Sequence, residues 1–123
     1  MDYRVPPNCQ FEIDDFENEW VFTDKFDYIH GRELEGAVAN EDKLFKQAFD
    51  HLKPGGYFEF DGGLAYFKSD DGTHEKAENG NYWSEMTRNA GEKFGKSFEN
   101  NPNWKEMMEQ AGFVDVKQKI LKV

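Results

Sequence analysis

Residues Leu44 to Asp61 have the sequence LFKQAFDHLKPGGYFEFD, which decides the fold. Five apolar residues have the spacing of one helical face: Leu44, Phe45, Ala48, Phe49 and Leu52. Lys53 suits the negative end of that helix, and Pro54 ends it. Gly55 and Gly56 give the backbone the freedom for a sharp turn. Tyr57 to Phe60 then predicts a short aromatic strand, so the stretch indicates one unit of an α/β sheet.

The preceding segment predicts another strand and the natural place for chemistry. Phe26 to Ile29 is the strand, and His30-Gly31-Arg32 follows at its carboxyl end. Asn40 is the expected cap of the helix from Glu41 to Leu52. Ligands of open α/β sheets bind beyond the carboxyl ends of the strands. His30 is a candidate general base because imidazole titrates near neutrality; a structural role, or backbone contacts only, are the alternatives.

The rest of the chain extends this pattern to a single α/β domain over residues 1–123. We expect a strand, two helices and a last strand at Gln10–Ile13, Tyr82–Phe98, Pro102–Gly112 and Phe113–Val123. Glu17 to Lys25 is a connector. In the first of the two helices, four apolar residues share one face and predict a stripe that packs in the core: Trp83, Met86, Ala90 and Phe94.

Composition restricts the function classes. The 123 residues carry a net charge of -10 with a sequence pI of about 4.7, which argues against a nucleic-acid-binding surface. No apolar run approaches the ~20 residues of a membrane span, and no signal-peptide pattern precedes Val5. A single cysteine, Cys9, excludes an internal disulfide and fits a reducing compartment. We therefore expect an intracellular protein, cytoplasmic or nuclear.

Several motifs, in this order, carry a family resemblance. The segment His51-Leu52-Lys53-Pro54-Gly55-Gly56 before an aromatic strand resembles the approach to the fifth strand of class I S-adenosylmethionine (SAM)-dependent methyltransferases. Its neighbours are similar to the fungal LaeA-like, or TAM-type, subgroup associated with secondary metabolism. They are Val5-Pro6-Pro7-Asn8, Phe11 to Asp15, Glu19-Trp20, Phe26 to Arg32, Ser69 to Thr73 and Ala111 to Val116.

The resemblance implies a SAM site with an adenine end. In the family, an acidic residue after the third strand accepts a hydrogen bond from the adenine amino group, which places this role on Asp14 or Asp15. Phe16 would cover the adenine ring, with His30 and Gly31 opposite. The alternative is that the two aspartates form a turn or cap a short helix.

On the substrate side the resemblance is less complete. It implies that Tyr66 and Trp83 lie near the methyl acceptor, although a core role for Trp83 is the alternative. Gly36 to Glu41 departs from the family's Gly-Ser-Ile-x-Asp-Trp-like stretch because its tryptophan is missing. The histidines are not spaced as ligand pairs and Cys9 stands alone, so the sequence predicts no metal site.

The glycine-rich loop of the family is absent from these 123 residues. We expect a truncated member that lacks the first two βα units of a sheet whose family order is 3-2-1-4-5-7-6. The fourth strand of that order is Phe26–Ile29 in this chain, and one of its edges would then lack a partner. Either the Phe11 region turns back at Asp14 to Asn18 and pairs with Trp20–Phe22 or Phe26–Ile29, or a second copy forms a homodimer.

Three functional hypotheses follow. The first is a SAM-dependent methyltransferase of small-molecule, secondary-metabolism type, which is catalytically incompetent alone because the glycine loop is missing. The second is a non-catalytic dimerising or partner-binding module derived from a methyltransferase. The third is one half of a split enzyme, in which a partner chain supplies the missing strands.

Overall fold

A computed structural model describes residues 5–123 of the chain. It contains β1 (Phe26–Arg32), α1 (Glu41–His51), β2 (Leu52–Asp61), α2 (Glu78–Phe94) and α3 (Trp104–Ala111). Two short 3₁₀ helices, Thr73–Lys76 and Asn101–Asn103, precede α2 and α3. The fold is α/β, with a two-stranded parallel sheet and flanking helices.

The β1–α1–β2 unit is the centre of the fold. β1 and β2 are parallel, with His30 opposite Glu59 and Arg32 opposite Asp61. Parallel neighbours need a crossover connection, and α1 supplies it. The predicted strand at Phe26 and the predicted strand at Tyr57 are both confirmed, and each is longer than expected.

Local sequence explains where α1 begins and ends. The Asn40 side chain accepts a hydrogen bond from the backbone N–H of Lys43 at 2.9 Å, which confirms the predicted cap. The acidic Glu41 and Asp42 lie in the first turn, where the positive end of the helix favours them. The helix ends at His51, one residue earlier than predicted.

The predicted sharp turn after α1 is wrong. β2 begins directly at Leu52, which pairs with Phe26, while Tyr57 pairs with Tyr28. The segment from Lys53 to Gly56 therefore lies opposite Asp27 alone, as an irregularity within the strand pair. Gly55 has a φ of 82°, and this left-handed residue lets the strand absorb the extra length.

The core lies between one face of the sheet, α1 and α3. Phe45 of α1 is fully buried, and its ring centroid lies 5.5 Å from that of Phe58 and 5.2 Å from that of Phe60. Trp104 of α3 packs edge-on against Phe60 at 4.5 Å. Met108, one turn further along α3, joins the same cluster. These contacts fix both helices on the same side of the sheet.

The predicted core stripe of α2 is wrong. The helix begins four residues before Tyr82, and Gly95 caps it at a φ of 79°. Trp83 is 58% exposed and Phe94 is 77% exposed, whereas Gly91 is buried. A Cβ atom added to Gly91 would lie 2.7 Å from the Lys96 carbonyl oxygen. The helix therefore packs through its small residues against the following segment, and its apolar stripe faces outward.

The helix α3 is confirmed, but both terminal strands are wrong. Gly112 ends α3 with a φ of 117°, as its sequence position predicts. Gln10–Ile13 and Phe113–Val123 form no strand, and Ile13 and Val123 are exposed. Within residues 5–123 the sheet consists of β1 and β2 only, so these segments have no strand to pair with.

The local repair of the sheet edge does not form either, because nothing pairs with the second edge of β1 in the part of the chain that the structure describes. The homodimer stays a prediction. No helix among residues 5–123 is both long enough and apolar enough to cross a membrane.

Candidate functional site

The outer face of the two-stranded sheet carries polar and aromatic side chains. Because side chains alternate along a strand, Ile29 and Phe58 face the core, while the residues beside them face away from it. Four exposed residues lie together on this outer face: Tyr28, His30, Glu59 and Asp61. Two neighbouring strands thus position the group that includes the predicted catalytic histidine.

Short contacts join the four side chains. His30 Nε2 lies 3.1 Å from Asp61 Oδ1. The Tyr28 ring stacks on the His30 ring with centroids 6.0 Å apart and an interplanar angle of 15°. The Tyr28 hydroxyl donates a hydrogen bond of 2.7 Å to Glu59 Oε2. This bond, with partial desolvation and the charges of Glu59 and Asp61, raises the pKa of Tyr28 above its usual value.

Gly31 lies between His30 and Arg32 on the opposite face of the strand. A Cβ atom at this position would lie 2.6 Å from the Phe60 ring and 3.3 Å from the Leu34 side chain. The close approach of Phe60 therefore requires glycine here. Packing alone explains this residue, whether or not its backbone also contacts a ligand.

The three residues of the predicted adenine end form a turn. Asp14 and Asp15 are exposed, and the N–H of Glu17 donates to Asp15 Oδ1 at 3.0 Å. Phe16 is half-buried against the core, and its carbonyl accepts a hydrogen bond from Trp20 Nε1 at 2.9 Å. These contacts are those expected of a turn. No hydrogen bond among the described residues joins this turn to His30.

The two predicted substrate residues lie in the region between β2 and α2. Tyr66 is half-buried, with the Lys68 ammonium 5.0 Å and the Arg88 guanidinium 5.8 Å from its ring centroid. Trp83 lies on the exposed side of α2 and packs against Phe67 at 6.2 Å. Neither residue contacts the group around His30 through a hydrogen bond or an aromatic pair.

Glu17 anchors the connector before β1. Its Oε2 atom pairs with Lys96 Nζ at 2.7 Å, and its Oε1 atom accepts from the Ala39 N–H at 2.5 Å. The hydrogen bond from Lys96 is the main reason that the pKa of this carboxyl is lowered, against a smaller opposing effect of burial. The connector is therefore tied to two distant segments of the chain.

Two surface cavities lie away from the predicted site residues. One, of about 330 Å³, is lined by Glu17, Ala39, Asn40, Lys43, Leu44 and Gln47. The other, of about 450 Å³, lies beside the irregular part of β2 and is bounded in part by Phe49, Pro54 and Phe113. Neither is lined by His30, by the Asp14–Phe16 turn, or by Tyr66 or Trp83.

Sequence reasoning missed the two carboxylates that join His30. Glu59 and Asp61 come from the next strand, and Asp61 is separated from His30 by 31 positions in the sequence. No local spacing reveals such a group. The signal that could have found them is the alternation of side chains along the predicted strand from Tyr57 to Phe60. It places Phe58 and Phe60 on one face and Glu59 on the other, and Asp61 follows Glu59 on that second face.

Comparison with known proteins gives the class. The family described as "Methyltransferase domain" matches residues 2–118, and the chain belongs to this family. The α/β arrangement is consistent with part of the Rossmann-like fold of a methyltransferase.

The relatives are fungal. Methyltransferase pytC of Aspergillus terreus is 30% identical over 112 residues, which are 89% of this chain and 34% of that protein. Probable methyltransferase tdiE of Emericella nidulans is 32% identical over 104 residues, 85% of this chain and 32% of that protein. Secondary metabolism regulator laeA of Aspergillus fumigatus is 39% identical over 56 residues, 44% of this chain and 15% of that protein.

The chain thus spans about a third of the length of pytC and tdiE. No solved structure matches it significantly.

Proposed function

We propose that these residues form the second half of a SAM-dependent methyltransferase domain that acts on a small molecule of fungal secondary metabolism. The observation that carries the proposal is the parallel β1–α1–β2 unit, inside a segment that matches the methyltransferase family over residues 2–118. The carboxyl ends of both strands meet at one edge of the sheet, where ligands of such folds bind.

The residues fit one end of SAM better than the other. Asp14 and Asp15 are exposed carboxylates that can accept hydrogen bonds from the adenine amino group, and Phe16 is adjacent. His30 and Gly31 belong to the carboxyl-terminal half of β1, and we assign them to the opposite side of the proposed pocket. The methionine end lacks a counterpart, because these 123 residues contain no glycine-rich loop.

We propose a separate role for each of these residues. When bound, SAM supplies an electrophilic methyl group. His30 accepts the proton of the attacking group of the acceptor, and Asp61 at 3.1 Å orients the imidazole. Tyr66 and Trp83 contact the acceptor from the segments that follow β2.

We infer that the 123-residue chain alone is catalytically incompetent. The unpaired edge of β1 in the described range supports this inference, since the family places its glycine-loop strand there. A second copy of the chain would cover that edge, and another polypeptide segment that carries a glycine-rich loop would also complete the methionine end of the pocket.

The test is a calorimetric titration of SAM into the folded chain, with circular dichroism to establish folding. We expect no binding at micromolar SAM for the chain alone. We expect measurable binding after addition of the part of pytC that precedes its matched segment.

The double substitution Asp14→Asn/Asp15→Asn should weaken the restored binding, whereas the exposed control Asp24→Asn should not. Tight binding by the chain alone would contradict incompetence. Absence of binding in the mixture as well would contradict the methyltransferase proposal.

The alternative is a non-catalytic module that dimerises through its sheet. The supporting observation is that neither β1 nor β2 has a second neighbour within residues 5–123. Light scattering coupled to gel filtration should give twice the chain mass at micromolar concentration. A clean monomer would exclude this function.

A further inference from the structure

We propose that His30, Glu59 and Asp61 form a binding site for a divalent transition-metal cation of the zinc class. Each residue offers one ligand atom, and the three atoms lie within 4.8 Å of one another. Imidazole nitrogen together with carboxylate oxygen is a ligand set that suits Zn²⁺ and its neighbours better than Mg²⁺ or Ca²⁺. The proposal goes beyond methyl transfer and does not depend on SAM binding, but a bound metal ion would replace the role of His30 as proton acceptor that is proposed above.

The pairing of β1 with β2 brings the three proposed ligands together. His30 pairs directly with Glu59 across the parallel ladder, and Asp61 lies two residues further on the same face of β2. A ligand triplet on two paired strands is held more firmly than one on a loop. Bonds of about 2.0–2.2 Å place the ligands of one zinc ion roughly 3–3.5 Å apart, so His30 and Asp61 at 3.1 Å already fit.

An outer contact orients two of the three ligands. The Tyr28 hydroxyl donates to Glu59 Oε2, which leaves Oε1 outside this hydrogen bond, and the Tyr28 ring stacks on His30. Residues that hold metal ligands in this way fix their rotamers and raise affinity. Tyr28 itself is a positioning residue here and not a ligand.

The charged residues around the group are two carboxylates and Arg32, which lies opposite Asp61 in the strand register and pairs with Glu33. Glu59 and Asp61 bring two negative charges to one side of the sheet, and within residues 5–123 neither forms an ion pair with a lysine or an arginine. His30 forms an ion-pair contact with Asp61, and Glu59 accepts a hydrogen bond from Tyr28. A divalent ion would neutralise both carboxylates, and His30 would then be a ligand and accept no proton.

The other two histidines of the chain are engaged locally. His51 Nδ1 contacts the Gln47 carbonyl at 2.8 Å, and His74 Nδ1 contacts Ser69 Oγ at 3.0 Å. Neither is in a group of three potential ligands in the described part of the chain. They therefore serve as internal references for His30.

The test is a titration of the whole chain with zinc chloride, followed by NMR of the three histidine rings. The chain carries Cys9→Ser, because Cys9 is exposed and a thiolate would bind zinc by itself. We expect the His30 ring signals to shift with one equivalent of zinc at pH 7.5, while those of His51 and His74 stay in place.

Matched variants complete the test. Glu59→Gln and Asp61→Asn should each weaken zinc binding by about tenfold or more, and the exposed controls Glu12→Gln and Asp24→Asn should leave it unchanged. Equal shifts of all three histidines, or no shift of His30 at millimolar zinc, would overturn the proposal. Displacement of zinc by equimolar Ca²⁺ would also overturn it, because that result indicates a nonspecific carboxylate site. The SAM titration has a separate readout, so either proposal can fail alone.

Discussion

Helices α1 and α2 both carry apolar residues at helical spacing, yet only α1 buries them. Leu44, Phe45 and Ala48 of α1 pack beneath the sheet beside α3. On α2, Trp83 is 58% exposed with Phe67 as its aromatic neighbour, and Phe94 is 77% exposed. The difference teaches that periodicity predicts a helix and its apolar face but not the surface that covers the face. The sheet and α3 together cover α1, whereas within residues 5–123 α2 has no comparable contact with either strand.

The largest expected effect comes from removing a buried side chain of α1. Phe45→Ala removes a fully buried ring from the contact between α1 and β2, and should lower the free energy of unfolding by about 3–5 kcal/mol. Phe94→Ala removes the same kind of side chain from α2, at a position that is 77% exposed. It should change the free energy of unfolding by less than about 0.5 kcal/mol. Urea unfolding measures both. Similar losses at the two sites would show that the α2 stripe is buried in solution.

A smaller effect is expected at the glycines that end two of the helices. Gly112→Ala would place a Cβ atom 2.8 Å from the Phe49 ring in a left-handed conformation, and should cost about 2–3 kcal/mol of stability. Gly95→Ala at the end of α2 meets no atom within 4 Å and should cost only the conformational strain, about 1–2 kcal/mol. Thermal melts of the pair isolate the packing contribution. An equal loss of stability in both variants would show that the close contact between Gly112 and Phe49 of α1 contributes nothing.

Loss of a helix cap should be smaller again. Asn40→Ala leaves the Lys43 N–H without its side-chain acceptor and should destabilise α1 by about 1 kcal/mol. Asn103, before α3, makes no capping bond, so Asn103→Ala is the matched control. Chemical denaturation distinguishes them. A neutral Asn40→Ala variant would mean that tertiary packing alone holds the first turn.

The smallest effect is a pH dependence. The folded-state pKa of Glu17 lies below its usual value because Lys96 donates to the carboxylate. The carboxylate therefore stabilises the fold at neutral pH, and this contribution is lost as the pH falls through the lowered folded-state pKa. Glu17→Gln should flatten the loss of stability in acid, when unfolding is followed between neutral pH and pH 3. An unchanged slope would show that the pair with Lys96 adds nothing.

Much of the central unit could be predicted from residues alone. The Asn40 cap, the apolar face of α1 and the aromatic strand gave the order β1–α1–β2, because each depends on neighbours in the sequence. Gln10–Ile13 and Phe113–Val123 have strand-like residues too, but a strand requires a partner for its backbone groups. Partner availability is a property of the assembled sheet and not of the segment.

The candidate site, too, could be predicted only where it depends on local sequence. Local pattern predicted His30 in a loop directly after the strand, and the structure places it inside β1, two residues before the strand ends. Its neighbours Glu59 and Asp61 depend on the register between two strands, which the irregular segment from Lys53 to Gly56 shifts. That shift was not visible in the sequence, since Pro54 and the two glycines predicted a turn outside the strand.

The one-sided pairing of β1 has a consequence for hydrogen exchange. Along Phe26 to Arg32, successive amide hydrogens point to opposite edges of the strand, and β2 accepts bonds at one edge only within residues 5–123. Amide hydrogens on the paired edge should exchange slowly, and those between them should exchange near the rate of an unprotected peptide. Protection along the strand thus alternates residue by residue, and any chain that adds a strand at the second edge would abolish the alternation.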